Sequence, residues 1–236
     1  MEDKRILDMD LTDAIIDRPH GFSVGNRHFY LYPITLGKTY LINRIVDLLD
    51  VNHENIKLNA FLEAIRLVKE KKTLCCKLIT FHTIKKKAKL FDNAFIENSV
   101  KFFKTNCSDD ELATILLMVL TSDKTQKFIH HLGIDKEHEK QEKVSKVMED
   151  NNTFNFGGLS IYGSLIDTAC ERYGWTYDYV LWGISYTNLR LLLSDRTTQI
   201  YLTDEERKKC RISNDRDVIK ADSAAAWEAI RQQKWD

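Results

Sequence analysis

Phe22-Ser23-Val24-Gly25-Asn26-Arg27-His28-Phe29-Tyr30-Leu31-Tyr32, followed by Leu41, Ile45, Leu48 and Leu49, is where the side-chain period of the chain changes. Gly25-Asn26 is a two-residue pair able to take the positive φ angles that tight hairpin turns require, and the flanking residues alternate as strands do. A β-hairpin is predicted, with Phe29 and Leu31 on one face and His28, Tyr30 and Tyr32 on the other. From Lys38 onward the apolar residues fall at i, i+4, i+7 and i+8, the spacing of a helix with one buried stripe. Leu58, Phe61, Leu62 and Ile65 repeat that spacing. The expected fold is therefore mainly α, a helical bundle with a small N-terminal β-hairpin.

The punctuation along the rest of the chain supports helices. The only two prolines, Pro19 and Pro33, lie early, so nothing after residue 37 carries the strongest helix breaker. Phe91, Phe95, Phe102 and Phe103 suggest one further helix. Ser108-Asp109-Asp110-Glu111 forms a capping box ahead of the apolar run Leu112 to Leu120, and Thr203-Asp204-Glu205-Glu206 forms another. Asp135 to Asp150 is almost wholly charged, with Glu139 to Lys143 and Glu142 to Lys146 in the favourable i, i+4 order, and predicts an exposed helix. A linker is expected at Asn151 to Gly158, dividing the chain into a region 1–150 and a region 151–236. In the second region Leu159 to Tyr173 reads as a helix closed by Gly174, a short helix starts near Thr176, Tyr186 to Leu193 continues the pattern, and Ala224 to Gln233 forms a terminal helix around Trp227.

Composition narrows the function classes. Of 236 residues 43% are hydrophobic and 30% charged, enough apolar surface for a folded core. The 35 basic residues balance the 35 acidic ones, so no overall field draws the chain to nucleic acid or to an anionic membrane. Five cysteines without a repeated spacing do not read as a disulfide framework, and a reducing compartment is expected. No stretch reaches the roughly 18 apolar residues of a membrane span, and no signal-like run follows Met1.

The near-motifs each fail at a residue their chemistry needs. Leu36-Gly37-Lys38-Thr39 sits between a predicted strand and a predicted helix, the setting of a phosphate-binding loop, but Tyr32 stands where the first glycine must be. A turn glycine ahead of a helix is the better reading. Gly158-Leu159-Ser160-Ile161-Tyr162-Gly163 places its second glycine one position late for a nucleophile elbow. His130 and His131 are helix neighbours pointing to different sides, and no metal-ligand spacing accompanies them. No catalytic residue, metal site or cofactor is expected. Lys85-Lys86-Lys87-Ala88-Lys89 is the one strong basic run, and reads as a solvated helix face ahead of a phosphate-gripping one.

The densest feature is Tyr173-Gly174-Trp175-Thr176-Tyr177-Asp178-Tyr179-Val180-Leu181-Trp182-Gly183-Ile184-Ser185-Tyr186. Trp, Tyr and Arg dominate protein–protein hot spots, so Tyr173, Trp175, Tyr177, Tyr179, Trp182, Tyr186 and Arg190 are the candidate partner-binding residues. Core packing at a helix–helix corner is the competing reading of the same residues.

That segment, with Leu189 to Leu193 after it, resembles the YGW…YVLW…LLL signature of phage and prophage tail-assembly proteins. Phe22 to Tyr40 is similar to the opening of such proteins from Bacteroidetes prophages. The resemblance implies a tail assembly chaperone: a mainly helical, non-enzymatic protein in the cytoplasm of the bacterial host that coats the tape measure protein and brings tail-tube subunits to it. Asp135 to Asp150 and the stretch after Lys208 lie outside the resemblance. A structural tail or connector subunit of the virion is the alternative, and a DNA-associated adaptor using Lys85 to Lys89 a further one. Homo-oligomerisation is left open by the sequence.

Overall fold

The computed structural model describes residues 4–148, 158–197 and 200–210. The expected linker residues 151–157, residues 211–222 and the helix expected at 224–233 lie outside them. The fold is mainly α with one small hairpin, as the sequence pattern predicts: α1 (Lys4–Ile15), β1 (His20–Val24), β2 (Arg27–Leu31), α2 (Leu36–Leu49), α3 (His53–Thr83), α4 (Lys87–Leu90), α5 (Asn93–Asn106), α6 (Asp109–Leu120), α7 (Thr125–His131), α8 (Ile134–Val147), a π-helical segment (Tyr162–Asp167) running into α9 (Thr168–Tyr173), α10 (Tyr177–Trp182), α11 (Tyr186–Ser194) and α12 (Asp204–Cys210). Contacts gather the chain into two compact units. One comprises Met1–Asp135 with Asn155–Thr197; the other comprises Lys136–Phe154 with Thr198–Asp236.

In the larger unit the hairpin and α2, α3, α5 and α6 share one core. β1 and β2 pair antiparallel with Val24 opposite Arg27, leaving Gly25-Asn26 as the turn. Gly25 takes φ +55 and Asn26 does not go positive, the pattern of a turn that needs glycine at its first central position. Alternation then puts Phe22, Val24, Phe29 and Leu31 inward. Phe29 and Phe103 meet at 4.9 Å between ring centroids, and Phe22 stacks on Phe29 at 5.5 Å. Phe103 on α5 is fully buried and also touches Phe22 and Phe102, so this aromatic group ties the hairpin to the helices. Burying one such side chain contributes about 1.5–3 kcal/mol.

Two predicted stripes differ in part from the buried faces. On α2 the buried residues are Leu36, Gly37, Lys38, Ile42, Ile45 and Leu49 with Leu41 half-buried against the core, so of the predicted stripe only Leu48, 63% exposed, turns outward. The buried face is rotated toward Ile42, which meets the hairpin core. On α3, Leu58 is 84% exposed, and Phe61 and Leu62 are exposed as well. The cause is Asn59, whose non-helical φ −157 breaks the helical phase and whose side chain accepts from the Phe61 and Leu62 N–H groups, starting the helix again. After the restart Ala64, Leu67 and Val68 face the core. Asn52 caps the first turn of α3 the same way.

One turn beyond the second cap, Asn59, lies Glu63, 1% exposed. Its carboxylate accepts from Asn52 N–H at 2.9 Å, the Asn55 amide at 3.0 Å, and Arg66 through Nε and Nη2 at 2.9 and 2.6 Å. Arg66 also donates to the Asp50 carbonyl and to Glu70. The Arg66 hydrogen bond, against the opposing effect of burial and helped by Asn52 and Asn55, pulls the Glu63 pKa down to about 2. The charge was legible in the sequence; its burial under the α2–α3 corner was not.

Ser108 and Glu111 form the predicted reciprocal capping box at the start of α6, and Thr203 and Glu206 form the one at α12. Phe91 belongs to the end of α4 and not to α5, and is exposed. Helix α1 was not anticipated: its apolar residues Leu7, Leu11 and Ala14 pack with Phe128, Ile129, Ile134 and Leu191 in a separate small core. In the smaller unit Lys146 pairs with Glu142 at 2.8 Å and Lys140 with Glu137 at 3.5 Å along a largely exposed helix. All five cysteines are free thiols, and burial first of all raises Cys75 to about 12 and Cys76 to about 11.

Candidate functional site

The aromatic segment is built from three short elements joined by tight corners. Gly174, at φ +64, ends α9 in the left-handed conformation expected of it. Thr176 then caps α10 by accepting from Tyr179 N–H, and Ser185 caps α11 by accepting from Asn188 N–H. Val180 and Leu189 are fully buried and meet Leu36, Ile166, Ala169 and Ile184 in a second core of the larger unit. The chain between α10 and α11 is pinned to the segment before α2: Tyr186 N–H donates to the Ile34 carbonyl at 2.7 Å, and Thr35 bridges to Ser185.

The seven residues singled out from sequence do not act as one set. Tyr173 stacks on Trp175 at 4.5 Å, its hydroxyl donates to the Leu192 carbonyl, and Tyr179 meets Trp175 edge-on at 5.2 Å. Those three rings form a half-exposed ladder on the corner between α9 and α10. Trp182 turns the other way. It packs onto the main core and lies so close over Gly37 that a Cβ there would stand 2.6 Å from the indole Cη2. Phe91 meets the same indole edge-on at 5.9 Å. Tyr177 is 52% exposed, and Arg190 lies over the half-buried Tyr186 ring.

Tyr177 and Tyr186 have two companions that sequence reasoning missed. Tyr40 on α2 and Tyr162 on the π-helical segment are both exposed, and the Tyr40 hydroxyl is raised above its usual range by burial and then by the nearby Tyr162, Tyr186 and Tyr177 hydroxyls. Tyr162, Tyr177 and the half-buried Tyr186, each from a different element, thus lie within electrostatic reach of Tyr40. Only the phase of the α2 stripe, once corrected to Ile42 and Ile45, could have placed Tyr40 outward.

The near-motifs resolve into packing. Gly37 is the landing place of Trp182, and Lys38 is 3% exposed, its pKa lowered to about 8 by burial. Its ammonium is taken into the fold rather than presented to a phosphate. His130 and His131 each reach a different carboxylate, Asp135 and Asp8, both at 2.6 Å. The lysine run is not a plain solvated face: Lys85 lies over Tyr32, Lys87 over Trp182 and Lys89 over Phe95, and Lys87 also pairs with Asp178. Among the described residues no helix is long and apolar enough to cross a membrane. Comparison with protein-family models, with curated proteins and with solved structures gives no match.

Proposed function

We propose that this chain is a protein-binding factor of the tail assembly chaperone type, working in the cytoplasm of a bacterial host by holding the tape measure protein and passing it to tail-tube subunits. The observations that support binding are the grouping of Tyr162, Tyr177 and Tyr186 around Tyr40 and the Tyr173–Trp175–Tyr179 ladder at the corner between α9 and α10. Tyrosine offers a large, stiff apolar face and a hydroxyl that bonds to polar groups, which suits a surface that must grip a helix and later release it. The resemblance of Tyr173 to Trp182 to the tail-assembly signature supports the particular partner.

Affixing this role needs no active site. Release follows when tube subunits compete for the same apolar helix, because two partners cannot cover one stripe at once. Co-expression with the tape measure protein, followed by affinity capture, is expected to recover a complex that Tyr40→Ser with Tyr177→Ser weakens. Capture of the chain alone would remove the tape measure assignment. Finding the chain in stoichiometric amount in purified particles would replace the chaperone with a structural tail subunit.

A further inference from the structure

The larger unit carries a cavity of about 460 Å³, open on one side to solvent, between α1, the segment after β2, α2, the end of α3, the α6–α7 connection and the start of α11. That volume falls within the range of pockets that hold small organic ligands, roughly 300–1,000 Å³. Three kinds of wall face it. Ile34, Ile42, Val119 and Phe128 give an apolar interior. His82, 3% exposed, also lines it. Its Nδ1 lies 2.9 Å from the Leu78 carbonyl, which can only accept, so the proton is on Nδ1 and Nε2 is left with its lone pair. Among the described residues nothing donates to that Nε2.

The third wall is charged. Asp10 pairs with Lys124 and Asp13 with Arg18, so those four groups are spoken for. Asp17 and Asp123 are not. Asp17 accepts only from the Asn188 amide and Asp123 only from Thr125 N–H, each through Oδ1. Both carboxylates line the cavity with no cation against them among the described residues. Lys38 lies within electrostatic reach of His82 at the inner end, so a ligand's positive charge is favoured at the aspartates and disfavoured beside the histidine.

We propose that this cavity is a binding site for a small organic amine, whose ammonium sits at Asp17 and Asp123, whose apolar body fills the interior, and whose far end donates a hydrogen bond to His82 Nε2. Tyr186 borders both this cavity and the tyrosine group, but Asp17, Asp123 and His82, which carry this reading, do not belong to that group. Tyramine carries all three features, phenethylamine lacks the terminal donor, and 3-(4-hydroxyphenyl)propionate replaces the ammonium with a carboxylate. Titrating the full chain calorimetrically with each is expected to rank tyramine first, phenethylamine at least fivefold weaker and the acid weakest. Asp17→Asn keeps a side chain tolerated at φ +52 and is expected to weaken tyramine at least tenfold. His82→Leu is expected to bring tyramine down to the affinity of phenethylamine. No heat with tyramine at millimolar concentration, equal binding of the acid, or unchanged affinity in Asp17→Asn would each overturn the proposal, and the last reads out even if the histidine variant fails to fold.

Discussion

Gly37→Ala places a methyl group 2.6 Å from Trp182 Cη2 and 2.7 Å from Cζ2 and Cζ3. Ordinary carbon contacts are about 3.5–4.0 Å, so the indole must retreat by about 1 Å. It has little room. Phe91 abuts it edge-on, Lys87 lies over its face at 5.3 Å, and its far side packs on the main core. Overpacking of this kind costs about 1–3 kcal/mol. Replacing glycine within a helix returns about 0.5–1 kcal/mol, the lower figure being apt because Gly37 is the second residue of α2. The net expectation is a loss of about 0.5–2.5 kcal/mol, a fall of roughly 1–10 °C in Tm for a chain of this length. Urea unfolding followed by circular dichroism measures it, and Trp182→Phe in the same background is expected to recover part of the loss. A Gly37→Ala variant more stable than the parent would show that glycine is there for no steric reason and would refute the docking of α10 on α2.

Three further outcomes follow from buried polar groups. Glu63→Gln keeps the shape of the side chain but removes the charge from four donors, and a loss of about 3 kcal/mol is expected in equilibrium unfolding. Because the folded pKa of Glu63 is near 2, below its ordinary value of 4.5, that stability is complete above about pH 4.5 and is lost as the pH falls toward 2. His82 is held neutral by burial with its pKa lowered from 6.5 to about 4, so the folded state resists a proton the unfolded chain takes up, and roughly 3 kcal/mol is lost between pH 6.5 and pH 4. His82→Leu should flatten the unfolding free energy across that interval. The Thr35 hydroxyl is buried without a hydrogen-bond partner among the described residues, so Thr35→Val is expected to leave Tm unchanged or raise it by a few degrees in a thermal melt.

Local signals in the sequence carried through where one element determines the outcome. The Gly25-Asn26 turn, the Ser108–Glu111 and Thr203–Glu206 boxes and the Gly174 cap depend on neighbours a few residues apart. What was not legible depends on partners distant in the chain. Leu58, Phe61 and Leu62 have helical spacing, yet Asn59 resets the phase between them and turns them to solvent. Helix α1 lacks a strong apolar run and is held by α7 and α11, with Asn188 donating to the Ala14 and Ile15 carbonyls. Within the candidate site the aromatic segment was visible as composition, but its division was not. Trp182 turns inward because Gly37 leaves room for it, and Tyr40 and Tyr162 join Tyr177 only through the packing of separate helices.

The proposed grip of the tyrosine surface on the tape measure protein is tested by titrating the purified chain with a helical tape measure segment, read by calorimetry for the parent and for Tyr40→Ser with Tyr177→Ser. Removing two hot-spot tyrosines at about 1–2 kcal/mol each predicts a loss of affinity of roughly thirtyfold or more, with the unfolding midpoint changed little because both side chains are about half exposed. An unchanged affinity in the double variant, or no binding by the parent chain, would contradict it.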